Sequence, residues 1–372
     1  MSRRTNKIYE AVSKKDEEKL RNLITQGYSL DELDADGDTA LHLAVFKDSF
    51  SLVSLLIKGG ASRSIRDAEG RTPLECAILY GTADSARILD VLVTNEDDLN
   101  MLKADGKIPL QRVIQKSSPE VLQILLEKGA RVYIDDIQGQ VMLLEAARSS
   151  REPDKKIEIL LTHGADISGT DKQGKTALHF AAASGSASTV RSLVVAGADV
   201  NRADLQGKTP LLEATVSSEK PAEKLEILLT HGADISGTDK QGKTALHFAA
   251  ASGSASTVRS LVRAGADVNR ADLQGKTPFL EAAGSSREPD KKIEILLTHG
   301  ADISGTDKQG KTALHFAAAS GSASTVRRLV KAGADINRVD DQGKTSLQFY
   351  QSSLRSSRSD TDQPTIHTGS IT

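Results

Sequence analysis

Eight histidines, one cysteine and six Gly-Lys-Thr tripeptides are the residues of this chain whose types could do chemistry. Imidazole could act as an acid, a base or a metal ligand, and a thiol could act as a nucleophile. Gly-Lys-Thr is also how a phosphate-binding loop ends. The spacings argue against all three. His42, His179, His247 and His315 follow a leucine, and His163, His231 and His299 stand in Thr-His-Gly, while His367 lies near the C-terminus. They recur with a long period instead of converging with metal-ligand spacing, which is the behaviour of structural residues. Cys76 has no histidine within its own stretch, because Glu75 occupies the place held elsewhere by histidine, and a half-buried inert thiol is expected. The tripeptides at Gly174, Gly207, Gly242, Gly275, Gly310 and Gly343 lack the upstream glycine of a phosphate loop, and neither G-x-S-x-G nor H-E-x-x-H occurs. Neither an enzyme nor a cofactor nor a metal centre is expected.

The period belongs to the whole chain. Glycines at 37, 70, 106, 139, 174, 207, 242, 275, 310 and 343 are separated by 33 to 36 residues. A 68-residue block covering 151–218 recurs at 219–286 and 287–353, and Glu158–Arg191 reappears without change at Glu226–Arg259 and Glu294–Arg327. Repetition at this period marks small units that cannot bury a core alone and must stack, so the expected fold is an all-α repeat solenoid.

One unit, 171–204, shows how. Gly174 permits a tight turn, Thr176 suits an N-cap, and Leu178, Ala181 and Ala182 share one face of a short helix that Gly185 stops. A second helix from about Ser188 carries Val190, Leu193 and Val194 inward and ends at Gly197. Residues 199–204 then lead to the next turn as an extended, hairpin-like finger. Alternate units are longer by a loop between the two helices, with Pro153, Pro221 and Pro289 setting the start of the second helix.

These residues resemble the ankyrin repeat. The matching hexapeptides are TALHLA at Thr39, TPLECA at Thr72, TALHFA at Thr176, Thr244 and Thr312, TPLLEA at Thr209 and TPFLEA at Thr277, with weaker forms at Ile108 and Val141. The resemblance covers about Ile8 to Phe349, as about nine full units plus capping units. It implies helix-turn-helix layers joined by β-hairpin-like fingers, histidines that bond backbone and threonine within and between layers, and a protein-binding face made by fingers and first helices. Residues 1–33 read as a charged N-terminal cap, 34–350 as the array, and 351–372, with ten Ser or Thr in 22 residues, as a disordered tail. Asn201, Asn269 and Asn337 are similar to ankyrin asparagines that are hydroxylated in animal cells; a plain turn role is the alternative.

A net charge of −2 disfavours general binding to nucleic acid or an anionic membrane, and the longest uncharged runs fall short of a membrane span. With one cysteine and no apolar leader near Met1, a monomer in the cytoplasm is expected, the nucleus being the second choice. The partner is therefore expected to be a protein. At the second finger position Ile137, Lys172, Leu205, Lys240, Leu273 and Lys308 alternate, and past the turn Lys175, Lys208, Lys243, Lys276, Lys311 and Lys344 form a second row. Such a ridge would suit an acidic, partly apolar peptide. Otherwise lysine keeps the fingers soluble and leucine folds back on its neighbour. An adaptor or scaffold is the first functional reading, beside an inhibitory subunit of one signalling or transcription partner, a microbial host-directed effector, or a ubiquitin-ligase targeting subunit.

Overall fold

The computed structural model describes residues 5–80, 85–94, 97–100, 109–132, 142–149 and 151–351. Ile108, Ile137, Val141 and the tail beyond 351 lie outside them. The described residues hold 21 helices and no strand, with three isolated antiparallel bridges inside fingers, such as Thr238 with Thr244. The chain divides into two compact units, 1–172 and 173–372.

The first unit begins with α1 (Thr5–Ser13) and α2 (Glu17–Thr25). The pairs α3 (Ala40–Phe46) with α4 (Phe50–Lys58) and α5 (Pro73–Tyr80) with α6 (Ser85–Leu92) follow. After the short α7 (Asp97–Asn100) come α8 (Pro109–Lys116) with α9 (Pro119–Glu127) and α10 (Met142–Arg148) with α11 (Pro153–Thr162). In the second unit the pairs are α12 (Ala177–Ser184) with α13 (Ala187–Val195), α14 (Pro210–Ala214) with α15 (Pro221–Thr230) and α16 (Ala245–Ala251) with α17 (Ala255–Arg263). They continue as α18 (Pro278–Ala283) with α19 (Pro289–Thr298) and α20 (Ala313–Ala319) with α21 (Ala323–Lys331). A last helical stretch occupies 346–351.

Helices of five to ten residues do not persist alone in water, so packing between layers must hold them. In α12 the residues Leu178, Ala181 and Ala182 are buried, as are Val190, Leu193 and Val194 in α13, which is the stripe expected from sequence. Alanine on the facing positions lets helix backbones approach closely, and within each unit the first helix of one pair packs on the first helix of the next. Within the second unit the fingers are tied by one backbone bond per layer. The N–H groups of Leu205, Lys240, Leu273, Lys308 and Asp341 donate to the carbonyls of Gln173, Gln206, Gln241, Gln274 and Gln309 at 2.8–3.0 Å. A Cβ on Gly207 would sit 2.9 Å from the Lys240 nitrogen, and Gly207 has φ +77°, so only glycine fits where fingers touch.

The longer loops behave as the proline spacing predicts, since α11, α15 and α19 start at Pro153, Pro221 and Pro289. The residues before them, Glu152, Lys220 and Glu288, adopt left-handed φ of +42°, +41° and +46°. A non-glycine residue there, ahead of a proline, is strained by about 1–3 kcal/mol, so neighbouring contacts must hold it. One such contact is visible: the Glu288 carboxylate accepts the Ala255 N–H at the start of α17, 3.0 Å away.

Candidate protein-binding face

Most layers start with a threonine whose backbone N–H needs an acceptor, and this need explains four of the eight histidines. The N–H of Thr176 donates to His179 Nδ1 at 3.1 Å, which leaves the ring proton on Nε2, and Nε2 donates to the Lys208 carbonyl in the next finger at 2.9 Å. His42, His247 and His315 do the same for Arg71, Lys276 and Lys344. Burial, the first cause, holds His179 and His247 below the usual imidazole range, as a neutral donor–acceptor requires. Glu75 and Gln348 stand in for histidine by accepting the N–H of Thr72 and Thr345. Where Leu212 takes the place, the hydroxyl of Thr209 is left buried without a partner. His163, His231 and His299 each bond the carbonyl four residues back, closing a helix C-terminus.

Cys76 departs from expectation. It is wholly buried, not half-buried, and the preceding layer brings His42 to it: His42, Asp67 and Cys76 offer ligand atoms within 4.8 Å of one another. Their lone pairs are already committed. Thr39 occupies His42 Nδ1, Nε2 carries a proton for Arg71, and Asp67 Oδ2 accepts Arg71 Nε at 2.7 Å and the thiol at 3.6 Å. A metal ion would have to displace Arg71 and strip the imidazole, so the cluster works as a hydrogen-bonded lock. Burial pushes the thiol up to about 12, which keeps it protonated and unreactive.

The two lysine rows separate. In the row past the turn, the five members from Lys175 to Lys311 are engaged with the layer that follows. Lys175 reaches Glu213 at 2.7 Å and Lys243 reaches Glu281 at 2.8 Å. Lys208, Lys276 and Lys311 lie over the rings of Phe248, Phe316 and Phe349 at 5.3, 4.7 and 5.6 Å. This row stitches finger to first helix and shows that the two share one face. The finger-tip row is different. Lys240 and Lys308 are exposed and make no ion pair among the described residues, and Leu205 and Leu273 are each 58% exposed. Both leucines lean on the glycine of the preceding finger, 3.3–3.4 Å from where its Cβ would be, so they fold back only in part. Lys172 is exposed at the end of the first unit, and Ile137 falls outside the described residues.

Asn201 and Asn269 bridge layers through both ends of the carboxamide. Each donates to a glycine carbonyl (Gly232, Gly300) at 3.0 Å and accepts the N–H of Asp234 or Asp302 at 2.8–2.9 Å. Asn337 is exposed in the last full layer.

Sequence reasoning passed over two groups. Lys156, Lys224 and Lys292 are fully buried at the start of the second helices. Each ammonium donates to a carbonyl of an earlier layer (Ile114, Ala182, Ala250) and to a loop serine (Ser149, Ser217, Ser285) at 2.8–3.2 Å. Burial lowers all three, Lys156 and Lys292 to about 8. Their signal was legible, since each lysine sits directly before an inward Ile or Leu at 157, 225 and 293. The second group is in the first unit. Phe46 and Tyr80 meet edge to face with centroids 5.5 Å apart, and the Arg71 guanidinium bonds the Tyr80 hydroxyl at 2.6 Å. No periodic pattern announces that contact, because each of the two rings occurs in one layer only.

Paired short helices stacked in layers, with fingers projecting beside the first helices, define a helical repeat protein of the solenoid class. The family model for ankyrin repeats matches residues 8–89, 143–239, 216–307 and 280–350, and the chain belongs to the ankyrin-repeat family. It is 30% identical over 158 residues to a B-cell lymphoma 3 protein homolog of Mus musculus, covering 42% of this chain and 35% of that protein. It is 31% identical over 166 residues to neurogenic locus notch homolog protein 1 of Homo sapiens, covering 44% of this chain and 5% of that one. With the phosphocholine transferase AnkX of Legionella pneumophila it shares 30% over 132 residues, covering 35% and 14%. The chain thus spans well under half of these relatives. Ankyrin repeats are protein-protein interaction modules, and no helix among the described residues is long and apolar enough to cross a membrane.

Proposed function

We propose that the chain is a non-enzymatic adaptor that holds a protein partner along the finger tips of its second unit. The observation that carries this reading is the row Leu205, Lys240, Leu273, Lys308. Its apolar and cationic members alternate one layer apart, stand exposed, and are fixed by the backbone ladder beneath them. A row held by backbone bonds loses little freedom on binding, which favours an extended ligand. Lysines without an internal counter-ion call for carboxylates, and half-exposed leucines call for aliphatic side chains between them. The partner that fits is an acidic, partly apolar peptide segment. The neighbouring lysines at 175, 208, 243, 276 and 311 support the row by holding finger and helix together.

The test uses affinity capture with the full chain, followed by titration of the partner found. Replacing Lys240 and Lys308 with glutamate should weaken binding at least tenfold while the far-ultraviolet circular dichroism stays unchanged. Affinity equal to that of the parent chain would remove the finger row from the binding face.

A further inference from the structure

We infer that the partner of the finger face is held as an extended β-strand carrying an acidic side chain at every third residue. This rests on the finger-row reading and adds a second row of contacts to it. In the finger at 239–243 the tip residue Lys240 has no counter-ion, whereas Lys243 is neutralised by Glu281 at 2.8 Å. In the fingers at 204–208 and 272–276 the tip is leucine instead, and Lys208 and Lys276 lie over Phe248 and Phe316, with no ion pair among the described residues. A ring face attracts an ammonium without cancelling its charge. The unneutralised ammonium groups therefore run in a zigzag along the second unit: beside the first helices at Lys208, at the tip at Lys240, beside the helices again at Lys276, and at the tip at Lys308. The alternation ends in that last finger. Phe349 stands there where Glu281 stands in the copy before, so Lys311 also lies over a ring and donates to Gln309 at 2.9 Å.

A zigzag of single charges selects the conformation of its ligand. Layers that pack helix on helix repeat about every 10 Å. A strand advances about 3.3 Å per residue and turns successive side chains to opposite sides, so residues three apart lie one layer apart and face opposite ways. Running between the tips and the first helices, such a strand sets its first acid on Lys208, its fourth on Lys240, its seventh on Lys276 and its tenth on Lys308. Other regular conformations miss this register. A polyproline II segment also spans a layer in three residues, but with three residues per turn it returns every acid to the same side. An α-helix needs about seven residues per layer and likewise brings them to one side. The leucines complete the pattern. Leu205 and Leu273 are exposed at the tips of the layers whose free ammonium is on the helix side, so the strand residue next to that acid points at them. The ligand read from the face is a repeated hexapeptide, in the order acidic, aliphatic, any, acidic, any, any, and one hexapeptide matches one 68-residue block.

Fluorescence anisotropy of the full chain with a labelled decapeptide tests the register. The probe carries aspartate at its first, fourth, seventh and tenth positions, leucine at its second and eighth, and serine elsewhere. An isomer of the same composition gathers the four aspartates at alternate positions, which a strand turns to one side. The spaced peptide should bind at least tenfold tighter than the isomer. Lys208→Met with Lys276→Met and, separately, Lys240→Met with Lys308→Met should each weaken it at least tenfold. Methionine keeps an apolar stem over Phe248 and Phe316, so the circular dichroism should be that of the parent chain. Equal affinity for the two peptides, or a loss confined to the Lys240 and Lys308 variant, overturns the two-row strand and leaves the finger-row reading standing. Binding that the Lys240 and Lys308 variant does not weaken, or no binding of either peptide, overturns both.

Discussion

At the scale of single residues, the layers differ in how completely their polar groups are paired. In the first unit the finger aspartate Asp67 is saturated: Oδ1 accepts the N–H groups of Glu69 and Arg71, and Oδ2 accepts Arg71 Nε. In the second unit the equivalent Oδ2 atoms of Asp204, Asp272 and Asp340 are buried without a hydrogen-bond partner, and Lys175 Nζ stands 3.9 Å from that of Asp204. The residue four positions on is lysine there, Lys208, Lys276 or Lys344, where Asp67 has arginine. The Arg71 guanidinium reaches back to Asp67 of its own finger while lying over the Tyr80 ring of its own layer, whereas the single ammonium of Lys208 lies over Phe248. Lys208→Arg should therefore stabilise the second unit by about 1 kcal/mol, the ordinary net value of one hydrogen bond, by pairing a buried unpaired oxygen. A urea midpoint that does not move, or that falls, would show that Asp204 is already satisfied.

At the scale of elements, the second helices of the longer layers are anchored by the buried lysines. Desolvation opposes the charged form, so in the folded chain Lys156 and Lys292 titrate at about 8, while an exposed lysine titrates near 10.4. Between these values the unfolded chain binds more protons, and stability must rise as pH increases from about 8 to about 10. His179 and His247, lowered by burial, act in the same direction in a second window. Stability falls as pH drops below the ordinary imidazole value of about 6.5, because the unfolded chain takes up protons first. Chemical denaturation of the parent chain from pH 8 to 10 should show the alkaline rise, and Lys156→Met with Lys292→Met should flatten it. An identical slope in the double variant would mean that these ammonium groups are hydrated and unshifted.

At the scale of the molecule, the main helix contacts within the described second unit run within layers and between adjacent layers. Stability in such an array is close to a sum over layers and their interfaces. Removing residues 219–286 joins Ser218 to Arg287, a junction that repeats the register of Ser218 with Glu219. The shortened chain should fold cooperatively, with helical signal and urea m-value reduced roughly in proportion to the four helices lost, α15 to α18. Aggregation or a non-cooperative transition would show that the layers depend on partners beyond their neighbours.

The stack of paired helices, the prolines that open the longer layers and the structural duty of the Leu-His residues were legible in the sequence. Each depends on spacing along the chain: the period of the glycines, the inward stripe of Leu178, Ala181 and Ala182, and a threonine three residues before each of these histidines. Several assignments needed neighbours that sequence distance hides. Cys76 meets His42 from the layer before, Lys175 and Lys243 meet Glu213 and Glu281 from the layer after, and Lys224 crosses 42 residues to Ala182. Which lysines stay available to a partner was therefore decided by stacking. One side chain's counter-ion, or its lack of one, belongs to the adjacent layer, and a repeat read alone contains only half of each such contact.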